Sequence, residues 1–394
     1  MTPVMKRFSE VARVVTGKTP STANELFFGG HIPFVTPGDL DGEAPIVATK
    51  TQLTTEGAGE VNRLPKGSVL VSCIGTLGKV GIAGVEVCTN QQINALVFDE
   101  SLVEPRYGYH FCKTLRPYLE GIAPATTLPI INKSRFSEVE MPLPPLPEQR
   151  RIAAILDKAD ALRAKRREAI AKLDQLLQSV FLEMFGDPLL NPKGFPIRKL
   201  SEFYVSPRDG TKCGPFGSAL KKEEFVDNGV PVWNMDNISL DGRMVLPFRM
   251  WITEDKYSDL GMYSVRDGDI VISRAGTVGK MCVARMNGKP AIISTNLIRL
   301  RLNDHLRPLY FVSLMLYCKG RVGRLKTGAD GTFTHMNTGV LDSLEFPCPP
   351  IELQDRFITI TDEVERIKRR CQESLNNIEN LFGALSAQVF DIHG

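Results

Sequence analysis

The sequence is poor in the features that mark metal sites, secreted chains and most catalytic centres. Its 394 residues include eight cysteines (73, 88, 112, 213, 282, 318, 348 and 371) but no CxxC pair. They read as reduced, mostly buried small residues rather than zinc ligands or a disulfide frame. Five histidines (31, 110, 305, 335 and 393) are equally scattered and give no metal-ligand spacing. No apolar run reaches 18 residues, and the opening MTPVMKRFSEVARVVTG has no apolar signal core. These absences argue against membrane spanning and secretion, and for a cytoplasmic chain. The net charge is only +3, so any nucleic-acid contact must rest on local patches.

The catalytic inventory is also empty. HExxH, GxSxG and Cys/His nucleophile patterns are absent. So is the adenine-methylation signature, Asn or Asp followed by Pro-Pro and an aromatic; the Pro-Pro pairs here lie in PLPPLPEQ and PCPPIEL. Glu254-Asp255-Lys256, with Asp241 upstream, formally matches a nuclease pattern, but a match this short arises by chance in many chains. GTLGK (75–79) and GTVGK (276–280) fail as phosphate loops at both ends. Cys73 and Arg274 stand where glycine is needed, and Val80 and Met281 follow the lysine. Strand-like flanks make each a glycine-rich hairpin.

What the chain does have is an internal duplication. LPKGSVLVSCIGTLGKVGIAG (64–84) matches VRDGDIVISRAGTVGKMCVAR (265–285), and IPFVTPGDLDG (32–42) faces VPVWNMDNISLDG (230–242). Asn132 pairs with Asn337, Pro144-Pro145 with Pro349-Pro350, and Gln149 with Gln354. The register then holds at 205 through two long helical stretches. Ile152, Ile155, Ala159, Leu162, Ala169, Leu173, Leu176 and Val180 recur at 3/4 spacing. Their counterparts are Phe357, Ile360, Val364, Ile367, Ser374, Ile378, Leu381 and Leu385. This predicts a heptad seam, broken in each copy at Arg166 and Cys371. Pro-Pro precedes each stretch, and Gly186 and Gly383 are the expected stops.

The predicted fold class is therefore α+β. Two mixed α/β domains (1–146 and 189–350) alternate with two long helices (147–188 and 351–394) in a pseudo-two-fold duplication. Val-, Ile- and Thr-rich runs such as SVLVSCI, DIVISRA and NALVF supply strands. A lone seam this long exposes too much apolar surface, so each helix should pair with its repeat as an antiparallel coiled coil separating the two domains. The alternative is two ordinary helices, each packed on its own domain.

Several polar loops offer donors and acceptors suited to base edges and phosphates. Lys18, Thr19 and Ser21 lie in 18–30, Lys212 and Lys221 in 208–222, and Asn132, Lys133 and Arg135 in 125–135. Thr332, Thr334, His335 and Asn337 lie in 328–337, and Lys79, Arg274 and Lys280 at the glycine hairpins. The plain counter-reading is that loops are where polar residues go. On the helices, Arg163, Lys165, Arg166 and Arg167 form a basic cluster, echoed by Arg366, Lys368, Arg369 and Arg370 among more acids. These are either solvated faces or a docking surface.

Taken together, these segments resemble the specificity subunits of type I restriction–modification systems. PLPPLPEQRRIAAILDKADALRAKRREAIAKLDQLLQSVFLEMFGDP (142–188) is similar to the family's central helix. IPFVTPGDL, GSVLVSCIGTLGKVGI and TNQQINALVF are similar to its target-recognition segments. The resemblance implies a non-catalytic subunit whose two domains each bind half of a split, asymmetric site in double-stranded DNA. It implies docking of two methyltransferase subunits and, where a restriction subunit exists, two restriction/translocase subunits. The expected docking set is Gln149, Arg150, Arg163, Arg166, Arg167, Gln354 and Arg369. The resemblance places no cofactor or metal on this chain: S-adenosylmethionine, ATP and Mg2+ would belong to the partners. Alternatives are a methylation-only system or a DNA-modifying enzyme with a cryptic site. One departure is that Pro-Glu-Gln of the first helix becomes Glu352-Leu353-Gln354 in the second.

Overall fold

The computed structural model describes residues 4–42, 44–124, 128–216, 219–274, 279–318 and 337–390. The chain divides into two compact units, residues 1–170 with 370–394, and residues 171–369. Each unit therefore contains one mixed α/β domain and a segment of both long helices.

In the first unit a four-stranded antiparallel sheet runs in the order Ala12–Thr16, Ile93–Phe98, Val69–Ser72, Val80–Ile82. A second, three-stranded sheet places Phe28–Val35 between Gln52–Leu53 and Cys88–Thr89. Val4–Arg7 pairs with Glu140–Leu143, closing the domain just before the first long helix. The second unit repeats this in order. Its four strands are Thr211–Cys213, Leu297–Leu300, Ile270–Ser273 and Met281–Val283. Val230–Trp233 lies between Trp251–Ile252 and Ile292–Ile293, and Ile197–Lys199 pairs with Glu345–Pro347. The strands are short and β-branched, and their residues on both faces are buried where helices or the second sheet cover them. The fold is α+β and duplicated, as the sequence predicts.

GTLGK joins two paired antiparallel strands, with Gly75 at φ +78° and Gly78 at φ +72°. Only glycine tolerates that backbone readily. The hairpin reading holds in the first copy. In the second, the flanking strands pair identically, and 275–278 lie outside the described residues.

The long helices run Leu146–Phe185 and Ile351–Phe390. Both start right after Pro-Pro, where fixed φ and a missing N–H cost a helix start nothing. The first ends at Gly186, which takes φ +75°. The second does not end at Gly383: it continues seven residues further to Phe390. A Cβ at Gly383 would meet nothing within 4 Å, so the glycine is an exposed interior position. Its cost, about 1 kcal/mol, is outweighed by burial of Phe390.

Phe390 reaches the core of the first unit, 5.3 Å from the Tyr107 ring and 5.7 Å from Phe111. Its counterpart Phe185 reaches the core of the second, 4.8 Å from Tyr310 and 5.3 Å from Phe357. The tyrosines are matched as well: Tyr107 donates its hydroxyl to the Pro142 carbonyl and Tyr310 to that of Pro347.

Within each unit the two helices pack antiparallel. The seam, however, is not the row predicted. Ile152, Phe357 and Val364 are buried, but Ile155, Leu162, Leu176 and Ile367 are exposed, and Leu381 is 70% exposed. The buried positions of the first helix are instead Gln149, Ile152, Ala153, Leu156, Asp160, Phe181 and Phe185. In the second helix they include Gln354, Phe357, Thr361, Val364, Lys368 and Leu375. The inner row carries polar residues in mid-helix, so counting apolar residues selects a row rotated toward solvent.

Candidate nucleic-acid interface and helix faces

In the first unit the pairing register puts Thr16, Ser72, Val80 and Ile93 at one end of the four-stranded sheet. Three loops leave from that end. The segment 128–132 joins them: Ile74 bridges Ile130, the Gly75 amide donates to the Pro129 carbonyl and Ile131 donates to Cys73. Lys18, Thr19 and Lys79 sit at this end. The Lys18 ammonium donates to the Glu60 carbonyl at 3.1 Å, and the Thr19 hydroxyl donates to Gln91 Oε1 at 2.6 Å. Lys79 lies 3.9 Å from Asp41. Ser21 is exposed on the following loop. Asn132 caps the short helix Lys133–Ser137 by accepting from the Arg135 amide, and Arg135 donates to the Ile122 carbonyl. Lys133 is exposed beside them. Leu128 and Ile130, which sequence reasoning did not single out, are exposed at the same loop.

The second unit presents the same end of the same sheet. Gly17 and Gly214 mark the equivalent loop starts, and a Cβ on either would strike backbone of the neighbouring loop, at Asn90 and Ser294. Arg274 leaves strand Ile270–Ser273 and its amide donates to the Asn296 carbonyl. Its guanidinium lies over the Phe216 ring, 4.9 Å from the centroid. Lys280 donates to the Ile238 carbonyl at 3.3 Å. Lys212 is half-buried within strand Thr211–Cys213, and Lys221 heads a short 3-10 turn through the Glu224 side chain. Asn337 caps Thr338–Asp342 as Asn132 caps its counterpart. Thr332, Thr334 and His335 lie outside the described residues.

Behind the second loop cluster is an ionic core without a counterpart in the first. Arg299 and Arg301 are buried, and both bond Asp209. Arg301 also makes a two-point contact with buried Asp269. Burial and the neighbouring Arg301 charge pull the Arg299 pKa down, against the pull of Asp209. The network ties the start of the 208–222 loop to the sheet. Strand pairing places Ala95 and Val97 at the same two positions of the first unit.

The chance nuclease match dissolves into separate partners. Lys256 pairs with Glu224 at 2.6 Å, and Asp241 with Arg243 at 3.3 Å. Among the described residues no group of three His, Cys, Asp or Glu is placed to hold a metal, and no helix is long and apolar enough to cross a membrane.

The helix candidates divide in two. Gln149 and Gln354 are fully buried and are not surface residues. Gln149 accepts from the Glu104 amide and donates to the Leu102 and Pro144 carbonyls. Gln354 accepts from the Arg307 amide and donates to the Pro349 carbonyl. Each fastens a domain helix to the Pro-Pro entry of its long helix. Arg163 and Arg167 each meet an acid across the helix pair, Arg163 half-buried and Arg167 exposed. Arg163 bonds Asp160 at 2.8 Å and lies 3.9 Å from Glu379, 4.9 Å over the Phe382 ring. Arg167 bonds Glu379 at 2.8 Å. The second unit repeats the crossing with Lys368, which bonds Asp174 across the pair and Glu365 along its own helix. Arg150, Arg166 and Arg369 remain exposed, Arg150 lying 3.6 Å from Glu104.

A further contact binds the first domain to its helix. Asp157 holds Arg106 through a two-point contact and His110 Nε2 at 2.6 Å. Burial alone would raise the Asp157 carboxyl, but hydrogen bonds from His110 and Arg106 outweigh it and hold the pKa at about 2. Burial pushes the His110 pKa down, only partly opposed by Asp157.

Comparison with known proteins agrees with this architecture. The type I restriction modification DNA specificity domain matches twice, over residues 3–172 and 215–380. The type I restriction enzyme MjaVIII specificity subunit of Methanocaldococcus jannaschii is 24% identical over 394 aligned residues, covering 94% of this chain and 88% of that protein. The MjaIX specificity subunit of the same organism is 28% identical over 222 residues, about half of each chain (50% and 50%). The HindI specificity subunit of Haemophilus influenzae is 33% identical over 144 residues, 36% of this chain and 31% of that one. In fold, the chain is similar to the crystal structure of a type I restriction–modification S subunit from M. genitalium, with a TM-score of 0.63, 16% identity and 99% coverage of both chains. With both repeats matched across most of its length, the chain belongs to the type I restriction–modification specificity-subunit family.

Proposed function

We propose that this chain is the DNA-recognition subunit of a type I restriction–modification complex and performs no chemistry itself. Each domain binds one half of a split, asymmetric site in double-stranded DNA, using the loops at the end of its four-stranded sheet. One observation carries this reading. The two units share sheet order, loop exits and cap residues, yet differ in the side chains at the loop ends: Cys73 and Thr19 in one, Arg274 and Phe216 in the other. A conserved frame with diverged tips suits two domains that read different bases.

The helix pair scaffolds two methyltransferase subunits, and restriction subunits where the system has them. S-adenosylmethionine, ATP and Mg2+ belong to those partners. The exposed equivalent positions are Leu162 with Leu381 in the first unit and Ile367 with Leu176 in the second; Ile155 is exposed and its counterpart Ile360 half-buried. Two matched apolar sets suit two copies of one partner, each offering an apolar helix face. A 40-residue helix is about 60 Å long, enough to cover half-sites about 34–36 Å apart. Inserting one heptad in register into both helices lengthens the tolerated gap.

The test is a sequence-resolved map of adenine methylation in host DNA with and without the chain. Loss of methylation at one split motif supports the reading and names both half-sites. Unchanged methylation, with the methyltransferase subunit shown to be present and the chain shown to be expressed, refutes it.

A further inference from the structure

We propose that Arg274, held over the Phe216 ring, reads a guanine at one position of the half-site bound by the second recognition domain. This rests on the DNA-recognition reading above and goes beyond it by naming a residue pair and a base. Arg274 is fixed at the loop end of the sheet, one residue past the strand and tied by its amide to the Asn296 carbonyl. Phe216 is 59% exposed, an uncommon position for a large aromatic, and the guanidinium covers its face. Contact with the ring face restrains the guanidinium; Nη1 is buried, so the edge open to a ligand is that of Nε and Nη2.

The donors of that edge are unused. Among the described residues no carboxylate pairs with Arg274, and its Nη1 is buried with no hydrogen-bond partner. Several other cations of the same unit are engaged: Lys280 with Ile238, Arg243 with Asp174 and Glu365, Arg299 and Arg301 with Asp209. A planar fork of N–H donors matches the O6 and N7 acceptors of guanine in the major groove, whereas adenine calls for Asn or Gln. Arginine can also take a phosphate through the same fork, but that contact carries no base preference, which is what the methylation map separates. The first unit supports a reading role. There the arginine's place is taken by buried Cys73, and Thr19 bonded to Gln91 occupies the loop position of Phe216. The two domains thus differ where a base-reading residue would make them differ.

The experiment maps adenine methylation directed by the full chain with its partner subunits, for the wild type and for Arg274→Lys and Phe216→Leu. Lysine keeps the charge and the stem but loses the planar fork. We expect Arg274→Lys to relax one G·C position of one half-site, reducing discrimination there roughly ten- to hundredfold. The other half-site stays unchanged, and Phe216→Leu produces a weaker relaxation at the same position. An unchanged motif, or a uniform loss at every site with base preference intact, overturns the assignment, the second result indicating a phosphate contact. A wild-type chain that directs no motif-specific methylation overturns the DNA-recognition reading instead. Thermal melts of both variants accompany the map: a variant that melts early yet shows the single-position relaxation still supports the pair, because misfolding lowers methylation at all positions alike.

Discussion

Replacing Gln149 with alanine removes three hydrogen bonds from a fully buried site. The Glu104 amide and the Leu102 and Pro144 carbonyls all lose their side-chain partner. At about 1 kcal/mol per bond, with a further penalty for buried groups left unpaired, the cost is about 3–5 kcal/mol. Gln354→Ala removes two bonds and costs about 2–3 kcal/mol by the same reasoning. A chain of two units does not unfold in one step, so bulk melting mixes the effects. Native-state hydrogen exchange separates them. The Glu104 amide should lose roughly two to three powers of ten in protection in Gln149→Ala, with the Arg307 amide unchanged, and the reverse should hold, more weakly, for Gln354→Ala. Gln149→Glu adds a sign test. The carboxylate can still accept from Glu104 but faces two carbonyl oxygens, so its folded pKa rises above the unfolded value. That variant is most stable below pH about 4.3 and loses stability as pH rises through the folded pKa. Wild-type exchange at Glu104 in Gln149→Ala would falsify this link between domain helix and long helix.

Three further outcomes follow from the packing. Phe390→Ala should destabilise the first unit by about 3–5 kcal/mol, because the ring is 3% exposed between Tyr107 and Phe111; urea unfolding followed by exchange in 105–114 reads it. Asp157 has a depressed pKa, so its stabilisation is complete above the ordinary value of 3.8 and is lost as pH falls through about 2. Allowing for its 35% exposure, the contribution is about 1–2 kcal/mol, and Asp157→Asn should flatten the acid limb of the stability profile. Arg299→Met should cost about 3 kcal/mol in the second unit, near the lower end for a broken buried pair because Arg301 still holds Asp209, and a calorimetric loss under 1 kcal/mol would rule out a structural role.

The duplication was legible because it is a matter of order: matched glycines, Pro-Pro pairs and asparagine caps survive in both halves. Helix starts were legible for the same local reason, since Pro-Pro restricts the backbone whatever packs around it. The seam was not. A heptad count weighs apolarity, whereas the true inner row contains Asp160, Arg163, Thr361 and Lys368: Arg163 and Lys368 meet acids across the pair, Asp160 meets Lys113 and Arg163, and Thr361 bonds the Phe357 carbonyl one turn back. The same gap misplaced Gln149 and Gln354, which look like surface residues until their partners are known. Gly383 is a stop signal by type only: its propensity cost is small beside the aromatic burial seven residues on, and the helix runs through it. Arg274 was visible as a polar loop residue, but only the structure pairs it with Phe216, which a Gly-Pro-Phe loop could have suggested.

The division of the chain also bears on how it is made. The second unit, 171–369, is one uninterrupted stretch, whereas the first is assembled from both sides of it. On the ribosome the first α/β domain emerges before the second but lacks Phe390 until residue 390 has been added, so the nested unit has all its own residues first. Translation order and folding order are therefore opposed. An early stop that removes only the last few described residues would leave the later-made domain whole and open the core of the domain made first.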